Sequence, residues 1–260
     1  MTVGGTAYDS TVAALRAAGC VFAEEEARIL LDFAHDDTHL TQMLGRRVGG
    51  APLEHIVGSV DFYGLRIHVG DGVFVPRVRT EALVRAALDH VTSSATVLEL
   101  CCGCAGVAAA IATNSDATVY ATDIDDDAVA CARRNLAPDR VFSGDLFGGL
   151  PDHLLGQCDV VVANAPYVPT REVEFMPPEA REHEPRRSLD GGEDGLDLHR
   201  RIAVDAPWWL ADDGTVVLET SRKQAATTEK ILQHNGFDTT VLRDRTVDGT
   251  VVVGTIRPRL

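Results

Sequence analysis

Positive charge is scarce in this sequence of 260 residues, in which 24 Lys and Arg face 39 Asp and Glu and the formal net charge is -15. Such a chain repels nucleic-acid phosphates and anionic membrane surfaces except at a local basic patch. No apolar run approaches the roughly 20 residues that span a bilayer, and no basic segment followed by an apolar stretch opens the sequence. We therefore expect a cytoplasmic protein that associates with no membrane and forms no stable complex with nucleic acid.

Signatures of phosphate-bearing cofactors and of metals are also missing. The sequence has no G-x-x-x-x-G-K-[ST] to hold a triphosphate and no full G-x-G-x-x-G to hold a pyrophosphate. Cys101 and Cys104 have C-x-x-C spacing, but no second C-x-x-C accompanies them. Small buried thiols that fill a tight turn explain this spacing, and a redox pair or half of a zinc site is the alternative. We expect no metal site.

Hydrophobic residues make up 45% of the chain, which is enough for a full core with room for a small accessory domain. Apolar residues recur at three- and four-residue spacing from residue 8 to about residue 47, which predicts a helical domain over residues 1–50. The acidic run Glu24–Glu26 is typical of a solvated first helical turn. Alternating apolar and polar residues predict a β-hairpin linker over residues 51–78, and residues 79–260 form the third part.

In this third part, strand and helix patterns alternate from residue 95 onward. The alternation predicts an α/β fold with a mostly parallel, Rossmann-like sheet of seven strands. In such a sheet, ligands bind at the carboxyl ends of the strands, beside the switch in strand order. The predicted strands are residues 96–101, 118–123, 140–142, 158–163, 215–220, 238–242 and 250–256.

The first three predicted strands of this sheet end in residues that suit a nucleoside. Gly103 lets the backbone approach a ligand closely, and Asp123, 20 positions later, suits hydrogen bonds from ribose hydroxyls. Asp145 follows the third strand and is placed to reach an adenine edge. In the alternative interpretation, both aspartates are ordinary helix caps. Because no phosphate-binding pattern occurs, we expect S-adenosylmethionine as cofactor, bound by Glu99, Cys101, Gly103, Asp123, Ile124, Asp145 and Leu146.

The fourth predicted strand ends in N-A-P-Y at residues 164–167, which on its own also suits a strand-to-loop turn with a buried tyrosine. The tetrapeptide resembles the Asn-Pro-Pro-Tyr motif of amino-methyltransferases. PLEHIVGSVDFYGLRIHVGDGVFVPRVRTEALV at residues 52–84 and EHEPRRSLDGGEDGLDLHRRI at residues 182–202 extend the likeness over nearly the whole chain. The sequence thus resembles the HemK/PrmC family of release factor glutamine N5-methyltransferases.

The resemblance implies a helical substrate-recognition domain, an S-adenosylmethionine-dependent methyltransferase domain, and a methyl acceptor in the Gly-Gly-Gln motif of peptide chain release factors. It implies that the Asn164 side-chain oxygen and the Ala165 carbonyl accept the two N–H bonds of the substrate amide. Pro166 then keeps Ala165 extended, and Tyr167 packs against the amide. Asn164 also borders the cofactor.

Other family positions match the two ends of the cleft. The resemblance places Arg77 and Thr80 at the cofactor, with Arg77 and Glu81 either paired or at its methionine end. An exposed ion pair at a helix start is the alternative. Glu184 and Pro185 match a Glu-Pro pair that we expect to brace the N-A-P-Y loop.

The sequence departs from the family at four motifs, which indicates a divergent paralogue. E-T-S-R-K-Q at residues 219–224 replaces the usual Glu-Ile-Gly segment, and V-P-R-V-R-T-E at residues 75–81 lacks the second proline and the first acidic residue. E-L-C-C-G-C-A replaces Asp-Leu-Gly-Thr-Gly-Ser-Gly, and N-A-P-Y replaces Asn-Pro-Pro-Tyr. The alternatives to release-factor methylation are a methyltransferase of the same fold that acts on a small-molecule amine or amide or on adenine in nucleic acid, and a cofactor-binding regulatory protein without turnover.

Overall fold

The computed structural model describes residues 3–257. Four helices come first, and α1 ends in a Schellman motif because Gly19 has a φ of +88°. The amide of Cys20 there donates to the Leu15 carbonyl at 3.0 Å, and the amide of Gly19 donates to the Arg16 carbonyl at 3.0 Å. The helices are α1 (Val3–Ala17), α2 (Ala23–Phe33), α3 (Asp37–Val48) and α4 (Leu53–Val57).

The predicted solvated turn at Glu24–Glu26 is wrong for one of its three residues. Glu26 is only 8% exposed, and both of its carboxylate oxygens accept hydrogen bonds from Arg47 on α3, at 2.6 and 2.9 Å. Arg47 also pairs with Glu179, which lies in the second half of the chain. A bidentate pair that is largely removed from water therefore joins the first helices to each other and to the rest of the protein.

The predicted hairpin is present, with α4 directly before it. Strands β1 (Ser59–Phe62) and β2 (Leu65–His68) pair antiparallel. Tyr63 and Gly64 between them have φ values of +50° and +75°, as a type I′ turn requires. We missed α4 because its 5 residues are too few to show a helical period. The domain boundaries at residues 50 and 78 stay a prediction.

The predicted seven-stranded α/β sheet is confirmed, with strand order β5-β4-β3-β6-β7-β9-β8. All neighbours pair parallel except β9, which runs antiparallel to β7 and β8. The strands are β3 (Thr96–Leu100), β4 (Thr118–Asp123), β5 (Val141–Ser143), β6 (Cys158–Ala163), β7 (Leu210–Glu219), β8 (Phe237–Asp244) and β9 (Gly249–Ile256).

Helices cover both faces of this sheet, and apolar residues bury the contacts. Leu83, Ala108 and Val129 belong to one buried cluster, and Ile202 and Leu232 belong to the other. The helices are α5 (Glu81–Leu88), α6 (Gly106–Asn114), α7 (Asp126–Ala132), α8 (Pro178–His183), α9 (Asp197–Trp209) and α10 (Ala225–His234). Short 3₁₀ turns occupy Val78–Thr80, Pro138–Arg140, Asp152–Leu154, Thr170–Phe175 and Arg186–Ser188.

Strand order also determines where a ligand can bind. After β3 the chain first builds outward to β4 and β5 and then returns to place β6 on the other side of β3. The loops that leave β3 and β6 therefore diverge and open a crevice at their carboxyl ends. None of the helices within residues 3–257 combines the length and the apolar character needed to cross a membrane.

The Arg47 pair gives a first prediction. Arg47→Ala leaves the Glu26 carboxylate buried without its partner, so we expect the free energy of unfolding to fall by about 3 kcal/mol. Glu179→Ala removes the other partner, whose side chain is 49% exposed, and should cost less than about 1 kcal/mol. Urea denaturation followed by circular dichroism measures both values. Equal, small losses in the two variants would contradict the role of the Glu26 pair.

Candidate active site

A cavity of about 340 Å³ lies in the crevice between β3 and β6, within the size range of small-molecule sites. Of the ten residues predicted to bind the cofactor, nine line this cavity: Thr80, Glu99, Cys101, Gly103, Asp123, Ile124, Asp145, Leu146 and Asn164. The tenth, Arg77, is not among its lining residues. These nine residues are spread over residues 80–164 of the sequence, and the sheet brings them together at one cavity.

Asp123 ends β4 and anchors the loop that follows β3. Its Oδ2 accepts a hydrogen bond from the amide of Gly103 at 2.8 Å, and its Oδ1 accepts one from the amide of Asp125 at 2.9 Å. The cap of α7 is Asp125 rather than Asp123, so the capping interpretation does not apply to Asp123. Burial raises the pKa of Asp123, and these backbone hydrogen bonds oppose that rise.

Asp145 follows β5 and lies at the rim of the cavity. Its Oδ2 accepts a hydrogen bond from Nη2 of Arg201 on α9 at 2.9 Å. Arg201 also lines the cavity, and the sequence analysis missed it because nothing in the local pattern joins α9 to β5. Half-exposed, this pair contributes little stability but holds the Asp145 side chain toward α9.

The loop after β3 keeps a glycine-type backbone although two family glycines are absent. Cys101 and Ala105 stand at those positions and have φ values of +52° and +60°, and the retained Gly103 has a φ of +55°. Left-handed conformations cost a residue with a Cβ roughly 1–2 kcal/mol. Surrounding contacts therefore hold this path, and Cys101 presents its side chain where glycine has none.

The thiolate form is disfavoured for the cysteines of this loop. Cys102 and Cys104 are buried, and burial raises the pKa of both thiols well above its usual value. Metal ligation and disulfide exchange need the thiolate. Within residues 3–257, no cluster of three or more His, Cys, Asp or Glu side chains could hold a metal ion.

Glu99 lies beneath the same loop. It is 3% exposed, and its Oε2 accepts a hydrogen bond from the amide of Ala108 in α6 at 2.8 Å. Burial raises the pKa of this carboxyl to about 8. The described contact thus ties the end of β3 to the first turn of α6, and a contact to the cofactor stays a prediction.

The N-A-P-Y segment follows β6 directly. Asn164 lines the cavity, and its Nδ2 donates a hydrogen bond to the Thr80 hydroxyl at 3.3 Å. Ala165 is fully buried, and Pro166 lines the cavity. The Tyr167 hydroxyl donates to Glu219 at 3.2 Å, so its polar end points toward β7.

A second segment braces this loop, but it is not the one that we predicted. The amide of Val168 donates to the Leu189 carbonyl at 3.0 Å, and the amide of Gly191 returns a bond to the Val168 carbonyl at 2.8 Å. Gln224 on the other side donates from Nε2 to the Tyr167 carbonyl at 2.8 Å. Backbone pairing with residues 189–191 and one glutamine side chain therefore hold the loop.

Glu184 holds a different segment from the one expected. Its Oε1 accepts hydrogen bonds from the amide of Val75 at 3.2 Å and from Nη2 of Arg77 at 2.6 Å. The predicted pairing of Arg77 with Glu81 is therefore wrong, because Glu81 pairs with Arg85 at 2.6 Å, four residues along the helix. The bond from Glu184 fixes the segment that precedes α5 and so helps to place Thr80.

Glu219 is the functional candidate that sequence reasoning missed. It ends β7 with 1% exposure, and its Oε1 lies 3.6 Å from Nε of Arg79. Burial raises the pKa of Glu219, and hydrogen bonds from Thr80, Arg79 and Tyr167 oppose the rise. A signal was present, since Glu219 lies at the carboxyl end of a strand next to β6.

Known proteins are similar to this chain in sequence and in fold. The model of the methyltransferase small domain family matches residues 65–179. The release factor glutamine methyltransferase of Streptomyces coelicolor is 40% identical over 72% of this chain and 69% of its own length. The chain belongs to the release factor glutamine methyltransferase family. The enzyme of that name from Mycolicibacterium smegmatis is 32% identical over 93% of this chain and 92% of its own length.

A solved structure supports the fold. The crystal structure of a methyltransferase from Pyrococcus furiosus matches with a TM-score of 0.56 and 18% identity, over 74% of this chain and 89% of that one. The cofactor of this methyltransferase family is S-adenosylmethionine, as predicted.

The cavity fits that cofactor. Its walls carry the carboxylates of Asp123 and Asp145, which favour a ligand with cationic sulfonium and ammonium groups. Asp123 and Ile124 stand together at the end of β4, the place where a ribose with its adenine can pair a carboxylate with an apolar contact.

Loss of the Asp123 carboxylate should weaken cofactor binding. Charge-assisted hydrogen bonds contribute roughly 1.5–3 kcal/mol, so we expect Asp123→Ala to raise the dissociation constant of S-adenosylmethionine about 10- to 100-fold in isothermal titration. Asp238→Ala, at an exposed aspartate on β8, is the control and should bind normally.

The pH dependence of binding has a defined sign. Asp123 accepts charge-assisted hydrogen bonds at both oxygens only when it is ionised, because protonation turns one oxygen into a donor, and burial raises its pKa. The affinity of the unmodified protein should therefore fall as the pH is lowered through that raised pKa, and Asp123→Ala should lack this dependence. An unchanged affinity in Asp123→Ala would contradict the ribose assignment.

Proposed function

We propose that this chain transfers a methyl group from S-adenosylmethionine to the side-chain nitrogen of a glutamine, in the Gly-Gly-Gln motif of peptide chain release factors. The observation that carries the proposal is the Asn164 amide at the cavity wall, held by Thr80 through its nitrogen. This orientation leaves the Asn164 oxygen to accept a hydrogen bond from a substrate. The names of the related proteins support the same substrate.

The reaction is demanding because an amide nitrogen is a poor nucleophile, with its lone pair delocalised into the carbonyl. When bound, S-adenosylmethionine supplies an electrophilic methyl group on a cationic sulfur. For the transfer to balance, the acceptor nitrogen would bond to the methyl carbon and release one proton to water, and the departing sulfide would keep the electron pair of the broken carbon–sulfur bond. The protein must therefore present the amide in one geometry and stabilise charge that develops on its N–H groups.

Two acceptors of this chain can do so. One is Oδ1 of Asn164. The other is the carbonyl of Ala165, to which none of the backbone amides of residues 3–257 donates a hydrogen bond. Pro166 biases Ala165 toward an extended backbone. The replacement of a family proline by Ala165 leaves this arrangement usable, because the acceptor there is a backbone atom.

Tyr167 and the surrounding loop supply the rigidity. The ring of Tyr167 follows directly after the two acceptors, and its hydroxyl and carbonyl are both held, by Glu219 and Gln224. We assign the ring to packing against the substrate amide. Because both groups of Tyr167 are already held, little conformational entropy is lost in this loop when the substrate binds.

The proposed partner is a protein, recognised in part by the helical region of residues 1–50. A release factor substrate places the reaction in the cytoplasm, where translation ends. The net charge of -15 opposes stable binding to nucleic acid, which supports the protein glutamine as acceptor over adenine.

Mass spectrometry tests the proposed reaction. Release factors from the same organism are incubated with the protein and methyl-labelled S-adenosylmethionine, then digested and sequenced. We expect one methyl group on the glutamine of the Gly-Gly-Gln motif. Absence of label with cofactor binding intact would overturn the release factor as substrate and direct the search to other amides and amines.

Asn164→Ala separates catalysis from binding. Removing one preorganised group from an active site costs about 10²- to 10³-fold in turnover, so we expect kcat to fall by that factor while the affinity for S-adenosylmethionine stays normal. Asn114→Ala, at the exposed end of α6, is the matched control. Equal loss of turnover and cofactor affinity in Asn164→Ala would contradict the role of Asn164 as an acceptor for the substrate.

A further inference from the structure

We propose that Gln224 is a positioning residue that, together with Gly195, fixes the backbone of the N-A-P-Y segment against a wall of the cavity. The inference rests on the proposed function, because this geometry leaves the Ala165 carbonyl open to the substrate amide. Gln224 is the N-cap of α10, and Gly195 ends the sequence D-G-G-E-D-G at residues 190–195, here called the glycine segment. Neither residue is among those that line the cavity.

The side-chain amide of Gln224 joins the N-A-P-Y segment to the glycine segment. Its Nε2 donates hydrogen bonds to two backbone carbonyls, that of Tyr167 at 2.8 Å and that of Asp194 at 3.0 Å. Because a carbonyl oxygen can only accept, the nitrogen of the amide must lie on this side. Its Oε1 in turn accepts a hydrogen bond from the Ser221 hydroxyl. The Gln224 side chain is therefore held in one orientation and links two segments that are distant in the sequence.

Gly195 allows the close approach of these two segments. It is buried and has a φ of +78°. A Cβ at this position would overlap the Tyr167 carbonyl and lie 2.5 Å from Nε2 of Gln224, which is closer than Cβ atoms approach other residues in proteins. Any side chain here would therefore push the Tyr167 carbonyl and Gln224 away from their present positions.

The same contacts engage the two carbonyl groups that follow Ala165. The Tyr167 carbonyl accepts the hydrogen bond described above. The Pro166 carbonyl faces Gly191 of the glycine segment, where a Cβ would lie 2.5 Å from the carbonyl oxygen. Ala165 differs, because none of the backbone amides of residues 3–257 donates to its carbonyl. The path of the loop thus leaves this one carbonyl for a substrate.

The glycine segment is also part of the cavity wall. Residues 190–192 line the cavity, and the Gly192 carbonyl accepts a hydrogen bond from the amide of Thr170 at 2.9 Å. Gln224 thus ties the proposed substrate side of the site to a wall of the cofactor cavity. A displacement of reacting groups by about 1 Å can cost about 10²-fold in rate. Loss of this link should therefore lower turnover although Gln224 does not line the cavity.

Gln224→Met tests the link, because Met is similar in length and unbranched but cannot donate a hydrogen bond. The Gln224 side chain makes no capping hydrogen bond to α10, so the helix should be unaffected. We expect kcat for release factor methylation to fall about 10²-fold, while the dissociation constant of S-adenosylmethionine in isothermal titration stays unchanged. Gln233→Met, at an exposed glutamine of the same helix, is the matched control and should be fully active.

Gly195→Ala tests the close approach independently and should give the same fall in kcat with normal cofactor affinity. Gly64→Ala is its control, because Gly64 has a φ of +75° but a Cβ there has no atom within 4 Å apart from its chain neighbours. This control has the backbone strain without the crowding and should be fully active. Since Gln224 and Gly195 act on the same loop, the double variant should be little slower than either single variant. Losses that multiply would contradict a shared role.

Hydrogen exchange reports the order of the loop without any turnover. The amide of Val168 donates to the Leu189 carbonyl at 3.0 Å, and local opening of the loop exposes it to exchange. We expect this amide to exchange about 10-fold faster in Gln224→Met and Gly195→Ala than in the unmodified protein and the controls, as the loss of one hydrogen bond allows. Exchange in β3 should not change. A general loss of stability would instead raise exchange in β3 as well.

The outcomes separate this inference from the proposed function. Labelling of the Gly-Gly-Gln glutamine by the unmodified protein decides the function by itself. With that activity present, full kcat in both Gln224→Met and Gly195→Ala overturns the positioning role. Slow turnover with normal cofactor affinity, together with faster exchange confined to the loop, supports it. If release factors are not labelled, unchanged exchange at Val168 in both variants still overturns the inference, and faster exchange there supports it.

Discussion

The placement of β3 between β4 and β6 is the constraint on which the rest of this protein depends. Parallel pairing on both sides brings the carboxyl ends of these strands to one edge, and the chain leaves β3 and β6 in different directions. The loop after β3, the Asp123 carboxylate and the N-A-P-Y segment each lie at one of these ends. The cavity is thus a consequence of strand order, and the side chains give it chemistry.

The loop after β3 keeps its backbone conformation although side chains replace two of the family's glycines. Cys101 and Ala105 adopt the left-handed conformation that suits glycine, and the amide of Gly103 remains bonded to Asp123. The fold therefore holds the loop by contacts made elsewhere, at a cost of roughly 1–2 kcal/mol for each such residue. What changes is the surface of the cleft, because the Cys101 side chain lines it where the family has a glycine. The substitutions in this loop thus change the side chains that line the cavity more than they change the backbone conformation of the loop.

Buried polar groups form hydrogen bonds with the N-A-P-Y segment. Glu219 and Thr80 make few contacts with solvent, and each has its partners among residues of other elements. In a low-dielectric environment, such bonds are stronger and an unpaired group is more costly, so the network admits few arrangements.

The local sequence pattern was sufficient to predict most of the sheet and most of the residues that line the cavity. The predicted strands agree closely with β3 to β6, because buried parallel strands are apolar runs with polar ends, and most of the residues predicted at those ends line the cavity. The family resemblance extended this to N-A-P-Y. Only the tertiary structure decided the partners of the charged residues: Glu26 pairs with Arg47, Arg77 with Glu184, and Glu219 with Tyr167. Sequence periodicity describes which face of an element is buried, whereas these pairs depend on how distant elements pack, which no local pattern records.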